Sequence, residues 1–272
     1  MNKTMRKATT FVIVALFTIL FWIPLFWIII SSLKQPMDVT SYPPRLVFRP
    51  TLTNYTALFS TDGAGPAFMT SVIAAGSSMV GSLILGTLAG YGLAKMSNRL
   101  SQQIGFYFLS TRFAPPVALA LPLFLLLANF HLIGTIQALI LVYVLFNLPL
   151  VVWLMRQFFQ ELPHELEEAA LIDGCSETRA FWYIALPLVT PGLAATGVLA
   201  FLFSWNEFFY ALILGGGNIT TLPVLSSTFA TDRLIQWGEL SAVCVVAGAP
   251  IAIFAILFQR YLLRGLTFGA VK

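Results

Sequence analysis

The chain has 272 residues, of which 58% are hydrophobic and only 10% are charged, and its formal net charge is +4. Soluble proteins carry roughly 25% charged residues, so this composition excludes an ordinary soluble domain and predicts a polytopic membrane protein. The basic residues flank apolar segments instead of clustering with aromatic residues, which argues against nucleic-acid binding.

Apolar segments recur along the whole chain, each about as long as the roughly 20 residues that a helix needs to cross a bilayer. The first is too long for a signal-peptide core and lacks a cleavage site, which favours a retained span. We therefore predict an all-α membrane protein with about six transmembrane helices in a single transmembrane domain, residues 1–272. The predicted spans are approximately residues 11–31, 68–94, 104–130, 135–155, 188–214 and 240–263.

Between the first two spans, the proline-rich stretch 34–66 is predicted to be an ordered external loop with short helices. In the second span, Gly86 and Gly90 form a small-xxx-small pair, which favours close approach of another helix. In the third, the adjacent Pro115 and Pro116 are predicted to break the helix, and the freed carbonyl groups must then face protein or a wet cavity.

The predicted spans contain the ionisable residues Arg112 and Glu207. Charges within a membrane are costly, so both side chains are expected to face a cavity or a partner. One interpretation is an interhelical ion pair, or an arginine whose side chain reaches the membrane interface. The other is contact with a hydroxylated substrate, with Trp205 as a stacking surface and Asn147 and Asn206 as hydrogen-bond partners. The sequence leaves both open, and these five residues are the candidate substrate pathway.

The basic residues indicate the orientation of the spans. With the N-terminus inside, the inner segments contain Lys3, Arg6, Lys7, Lys95, Arg99, Arg156, Arg179, Arg260, Arg264 and Lys272. The outer segments contain only Lys34, Arg45, Arg49 and Arg233. This asymmetry follows the positive-inside rule and places both termini and the loop 156–187 in the cytosol.

That cytosolic loop and its surroundings are unusually acidic: Glu161, Glu165, Glu167, Glu168, Asp173 and Glu177 are six of the chain's eleven acidic residues. Pro163 is favoured in the first turn of a helix, and Gly174 is favoured in the left-handed conformation that ends one. Ser176 is expected to cap a second short helix. A helix, a glycine turn and a second helix together indicate a docking element.

The same loop contains a motif: Glu168-Ala169-Ala170, then Asp173-Gly174, Leu186-Pro187 and Pro191. It resembles the cytoplasmic EAA loop of ABC-importer permeases, with Cys175 where that family commonly has alanine. Two further stretches, 204–207 and the ending 264–272, resemble the carbohydrate-uptake branch at the position of the second maltose permease subunit. The segment 114–153 is similar to permeases of the sorbitol/mannitol type.

The resemblance implies a type I ABC importer permease fold with a cytoplasmic coupling helix. It implies a bacterial cytoplasmic-membrane subunit that moves a sugar or sugar alcohol, coupled to ATP hydrolysis on partner subunits. The implied partners are a homologous permease, a dimer of ATP-binding subunits, an extracytoplasmic solute-binding protein and membrane lipid. ATP and Mg would bind to those partner subunits. This chain itself would bind no cofactor and no metal. The implied ATPase-coupling residues are Glu168, Ala169, Ala170, Asp173, Gly174, Phe181 and Pro187.

Two other classes are weighed against this one. A secondary transporter driven by an ion gradient would have midplane ionisable residues and inverted repeats, whereas the conspicuous acidic cluster is cytosolic here. An intramembrane enzyme would need a nucleophile with a base, or a metal set, and the sequence contains neither motif. We therefore predict a transport subunit without catalytic residues.

Overall fold

The structure is a computed structural model that describes residues 3–96, 99–231 and 235–268. Its regular structure is helical, and the one β contact within those ranges is an isolated bridge between Ala230 and Ile235. The predicted all-α fold class is confirmed. Arg233 and the end of the C-terminal motif, residues 269–272, lie outside the described residues.

The described helices are numbered in chain order. They are α1 Lys3–Ser32, α2 Pro36–Val39, α3 Thr53–Ser60, α4 Ala64–Lys95, α5 Arg99–Thr111, α6 Pro116–Asn129, α7 Ile136–Gln160, α8 His164–Ile172, α9 Glu177–Ala180, α10 Leu186–Leu188, α11 Thr190–Trp205, α12 Phe209–Leu214, α13 Leu222–Thr228 and α14 Trp237–Phe268. A π-helical segment, Phe181–Ala185, joins α9 to α10.

Among the described residues, four helices are long and apolar enough to cross a membrane: Thr9–Ser32, Ala64–Lys95, Ile136–Gln160 and Trp237–Gln259. Two bent pairs also qualify, α5 with α6 at 88° and Glu177–Leu188 with α11 at 74°, which makes up to six spans. The break between α5 and α6 lies directly before Pro116, as the adjacent prolines predict. The exact ends of the spans within the bilayer stay predictions.

The chain divides into two compact units, Met1–Gly65 with Leu225–Ala249 and Pro66–Val224 with Pro250–Lys272. In the first unit the predicted loop does contain two short helices, α2 and α3. The buried amide of Asn54 holds this loop by donating to the carbonyl oxygens of Ser32 and Lys34, each at 2.9 Å. That the whole chain forms a single transmembrane domain stays a prediction.

The second unit is built around α7, which packs against α4, α5, α11 and α12. One of its buried clusters contains Ala74, Leu127, Ala138, Leu139, Val142, Tyr143, Tyr210, Ala211 and Leu214. Another contains Val151, Met155, Phe159, Phe181, Ala185, Val189 and Ala200. Because α7 contributes to both clusters, it is the common support of the two candidate sites described below.

The glycine pair of α4 allows α7 to approach closely, as predicted. A Cβ built on Gly86 would lie 2.5 Å from Cγ1 of Val151. A Cβ built on Gly90 would lie 2.9 Å from both the backbone nitrogen of Arg156 and Cβ of Met155. No side chain larger than hydrogen fits at either position without moving the helices apart.

We expect Gly90→Ala to lower the melting temperature of the detergent-solubilised protein, because the added methyl group overpacks the α4–α7 contact by about 1–3 kcal/mol. Gly92→Ala is the matched control: it lies on the same helix and its Cβ would meet no atom within 4 Å. Both variants gain the same helix propensity. Equal melting temperatures for the two variants would contradict the close contact.

Candidate functional site

The loop between α7 and α11 folds as the predicted helix, glycine turn and second helix. Gly174 follows α8 with φ of 88°, in the left-handed region. The backbone nitrogen of Gly174 donates to the carbonyl oxygen of Leu171 at 3.1 Å, and that of Cys175 donates to Ala170 at 2.9 Å. These two bonds form a Schellman motif, which requires a left-handed residue at this position.

The second helix begins as its sequence predicts. The hydroxyl of Ser176 accepts a hydrogen bond from the backbone nitrogen of Arg179 at 3.4 Å and so caps α9. The chain then continues without a turn through the π-helical segment and α10 towards α11. The docking element is therefore connected by continuous helix to the break before a candidate membrane span.

The predicted coupling residues divide between two faces of this element. The exposed ones are Glu168, Ala169, Asp173 and Gly174 on the outer face, and Pro187 in α10. Ile172, which the sequence did not single out, is 85% exposed beside them. Ala170 and Phe181, which the resemblance also implies as coupling residues, are instead buried. Adjacent helical positions point about 100° apart, so the two alanines do not share a face.

The inner face of α8 carries a carboxylate that sequence reasoning missed as a functional group. Glu167 is buried, accepts a hydrogen bond from the hydroxyl of Tyr91 at 2.8 Å and forms an ion pair with Lys95. The ring of Tyr91 lies 4.7 Å from that of Phe181 and 5.1 Å from that of Phe159. Phe181 is thus an internal contact that joins the docking element to the end of α4.

The sequence could place Glu167 on the same face of α8 as Ala170, but it could not show that this face is buried. Glu167 precedes Ala170 by three residues, and helical positions three apart lie on the same face. A glutamate on the buried face of a short helix requires a partner, because an unpaired buried charge is costly. We name Glu167, Tyr91 and Lys95 the α4–α8 tie.

A second candidate site lies in the same unit, between the α5–α6 break, α7, α11 and α12. It is a cavity of about 210 Å³. Its lining residues are Arg112, Pro116, Tyr143, Phe146, Asn147, Phe203, Ser204, Glu207 and Tyr210. Three of the five residues predicted for the substrate pathway, Arg112, Asn147 and Glu207, therefore meet at one cavity.

Asn147 is held rigidly at the wall of this cavity. Its amide nitrogen donates to the hydroxyl of Ser204 at 2.7 Å and to the carbonyl oxygen of Ala200 at 3.1 Å. The hydroxyl of Ser204 also lies 2.8 Å from that of Ser78. Asn147 thus belongs to a hydrogen-bond network that connects α4, α7 and α11. These bonds explain why a polar side chain is present in the apolar helix α7.

Glu207 has a local role that the sequence did not suggest. Its carboxylate accepts hydrogen bonds from the backbone nitrogens of Tyr210, at 3.0 Å for the shorter contact, and Ala211, at 3.2 Å. These are the first turn of α12, where a negative charge is stabilised by the helix dipole. Glu207, which follows α11, is thereby hydrogen-bonded to the start of α12.

The interhelical ion pair weighed for Arg112 and Glu207 is not formed: the ion pairs among the described residues are Arg45 with Asp38 and Lys95 with Glu167. Glu207 instead binds backbone, as above. The guanidinium carbon of Arg112 lies 4.1 Å from the centroid of the Phe203 ring, a cation–π contact.

The other two predicted residues, Trp205 and Asn206, do not line the cavity. Trp205 is 2% exposed, with its ring stacked on Phe201 at 5.5 Å and edge-on to Phe68 at 5.9 Å. Asn206 is exposed and its amide donates to the carbonyl oxygen of Leu202 at 2.8 Å. Adjacent residues at the end of a helix direct their side chains differently. Consecutive polar residues therefore need not line the same cavity.

Aromatic residues are the part of the cavity that the sequence did not indicate. The rings of Phe146 and Tyr210 are stacked at 4.5 Å, and the hydroxyl of Tyr210 donates to the carbonyl oxygen of Pro116 at 3.1 Å. Tyr143 precedes Asn147 by one helical turn, and this spacing could have predicted it. Ring faces with hydrogen-bonding groups beside them can bind a hydroxylated solute.

Comparison with known proteins adds a family match to this geometry. The family model described as "Binding-protein-dependent transport system inner membrane component" matches residues 82–268. A probable ABC transporter permease protein of Sinorhizobium fredii is 37% identical over 100% of this chain and 98% of its own length. The sulfoquinovosyl glycerol transport system permease of Agrobacterium fabrum is 33% identical, over 92% and 88%. The trehalose/maltose transport system permease of Thermococcus litoralis is 32% identical, over 100% and 99%.

The fold is also found in solved structures of ABC transporters. A chain of a bacterial ABC transporter involved in the import of the acidic polysaccharide alginate superposes with a TM-score of 0.76 at 21% identity, covering 96% of this chain and 98% of the other. A chain of the MetNI methionine ABC transporter superposes with a TM-score of 0.60 at 15% identity, covering 74% and 95%.

Proposed function

Since the chain belongs to the family of binding-protein-dependent transport system inner membrane components, we propose that it moves a sugar or a sugar derivative into the cell. It is a permease subunit of an ABC importer and a multi-pass inner-membrane protein, a transport subunit and not an enzyme. Family membership confirms the resemblance read from the EAA motif, and the structural likeness confirms the permease fold.

The observation that supports a sugar as the solute is the similarity, over nearly the full length, to carbohydrate permeases of more than one organism. The cavity supports it, because stacked rings and fixed hydrogen-bonding groups are the features that bind hydroxylated rings. Most of the lining is preformed by contacts within the protein, so the solute would meet a rigid surface.

An ABC importer permease works with ATP-hydrolysing and solute-binding partners. The set that we propose here is a homologous permease subunit, a dimer of ATP-binding subunits and an extracytoplasmic solute-binding protein, all in contact with membrane lipid. ATP and Mg bind the ATP-binding subunits. The excess of basic residues in the inner segments supports a cytosolic position for both termini and for the loop 156–187.

The exposed face of the docking element is the surface that meets the ATP-binding subunit. It combines the carboxylates of Glu168 and Asp173 with the small Ala169 and the apolar Ile172. Movement of this surface passes inward through two routes: the α4–α8 tie and the helical continuation towards α11. In this way, closure of the ATP-binding subunits on ATP moves the helices that line the cavity.

We expect uptake of radiolabelled sugar into proteoliposomes containing the complete importer to require hydrolysable ATP, because the energy is supplied by the ATP-binding subunits. A non-hydrolysable ATP analogue is expected to give no accumulation, and a protonophore is expected to have no effect. Accumulation driven by a proton or sodium gradient without ATP would support a secondary transporter instead and would overturn the proposal.

A further inference from the structure

Two buried polar atoms at the cavity lack a hydrogen-bond partner among the described residues. They are Nη1 of Arg112 and the hydroxyl oxygen of Tyr143. Five such atoms occur in the described part of the chain, and these two belong to residues that line the same cavity. Tyr143 is only 3% exposed. Buried polar groups are nearly always paired, so two orphans at one cavity point to a ligand that completes them.

The other polar groups of the cavity are already paired within the protein. Asn147 and Ser204 bind each other, the hydroxyl of Tyr210 binds Pro116, and Glu207 accepts from two backbone nitrogens. The two atoms left without a partner are Nη1 of Arg112, which can only donate, and the hydroxyl of Tyr143, which can donate or accept.

The open donor on Arg112 carries a permanent positive charge, because a guanidinium group is not deprotonated in proteins. Phe203 holds it in place from one side through the cation–π contact, at 4.1 Å. The negative charge of Glu207 is directed to the backbone of α12. The lining thus presents a fixed cation with an unused donor, and the group that best complements it is an anionic oxyacid.

We propose that this cavity binds an acidic group of the transported solute, a carboxylate or sulfonate attached to a sugar. Arg112 is its main partner, and the hydroxyl of Tyr143 is a second donor. The stacked pair Phe146 and Tyr210 contacts the sugar ring beside it. The inference rests on the proposed function and deepens it, since it selects acidic sugar derivatives over neutral sugars and polyols.

Uptake of matched sugar pairs by the complete importer in ATP-loaded proteoliposomes tests this proposal. One pair is a hexuronic-acid disaccharide and its carboxyl-reduced form, and the other is a sulfonated glucoside and the plain glucoside. Each is measured with wild type, Arg112→Met, Arg112→Lys, Tyr143→Phe and the control Lys7→Met, which removes an exposed charge of α1. Because all variants share one binding protein, differences between them belong to the permease.

We expect the wild type to import the acidic member of at least one pair faster than the neutral member. Arg112→Met should lower the acidic-to-neutral uptake ratio by about tenfold to a hundredfold, the range for lost hydrogen bonds to charged groups. Arg112→Lys should lower it less, since it keeps the charge but loses the planar fork. Tyr143→Phe should lower it several-fold, and Lys7→Met should leave it unchanged.

The proposal is overturned if the wild type prefers the neutral member of both pairs. It is also overturned if Arg112→Met slows both members equally, which is the result of a purely structural arginine. If the Arg112→Met importer does not assemble, the Tyr143→Phe variant provides the test. An unchanged acidic-to-neutral uptake ratio in Tyr143→Phe would then overturn the proposal. Failure of the wild type to import any sugar with ATP is a different result, because it removes the proposed sugar import itself.

Discussion

Gly174→Val is expected to leave the permease in the membrane while it weakens binding of the ATP-binding subunits about 5- to 30-fold. Gly174 has φ of 88°, and a Cβ built there meets no atom within 4 Å, so the substitution acts only through the backbone. Left-handed backbone costs an L-residue about 1–2 kcal/mol, and a β-branched residue suits it least. That free energy corresponds to the stated change in binding. Co-purification of the ATP-binding subunits at controlled concentration measures it.

Gly174→Asn is the matched control for this prediction. Asparagine adds a side chain to the same exposed position but tolerates the left-handed region, so binding should stay close to that of the wild type. Equal losses in the two variants would show that the side chain, and not the Schellman turn, matters. Unchanged assembly and uptake in Gly174→Val would remove the docking role of this turn.

Glu167→Leu is expected to uncouple ATP hydrolysis from uptake. The substitution removes the carboxylate that accepts from Tyr91 at 2.8 Å and pairs with Lys95, so α8 loses its polar link to α4. The side chain of Lys95 is 42% exposed, so its charge can return to solvent and the lost interaction is about 1–3 kcal/mol. A coupling free energy of that size corresponds to an effect of about 5- to 150-fold. Sugar imported per ATP hydrolysed, measured in proteoliposomes, reports it.

The control is Glu165→Leu, which makes the same change of charge on an exposed position of the same helix. It should leave the ratio of uptake to hydrolysis near that of the wild type. A second variant, Tyr91→Phe, removes only the hydroxyl group and should give a smaller loss than Glu167→Leu. An unaltered ratio in Glu167→Leu would mean that the tie does not transmit movement.

Features specified by local backbone chemistry could be predicted from the sequence. The left-handed Gly174, the cap on Ser176 and the helix break before Pro116 each depend on a few neighbouring residues. The close approach at Gly86 and Gly90 could also be predicted, because two missing side chains one turn apart leave a groove on any helix.

Features that depend on which face of an apolar helix is buried could not be predicted. α11 is apolar nearly all round, so nothing in its sequence shows that Trp205 packs on Phe201 while Ser204 reaches the cavity. The inward position of Glu167 depends on Tyr91 and Lys95, which are distant in sequence. The pairing of Glu207 with backbone depends on a break between α11 and α12 that the predicted continuous span did not include.

Photo-crosslinking shows whether the exposed face of the docking element contacts the ATP-binding subunit in the cytosol. A photoreactive amino acid is placed at Ile172, which is 85% exposed, or at Tyr42, which is 97% exposed in the predicted external loop. Illumination of the complete importer in membranes is expected to capture the ATP-binding subunit from Ile172 and not from Tyr42. Capture from Tyr42 and none from Ile172 would contradict both the docking surface and the orientation of the chain.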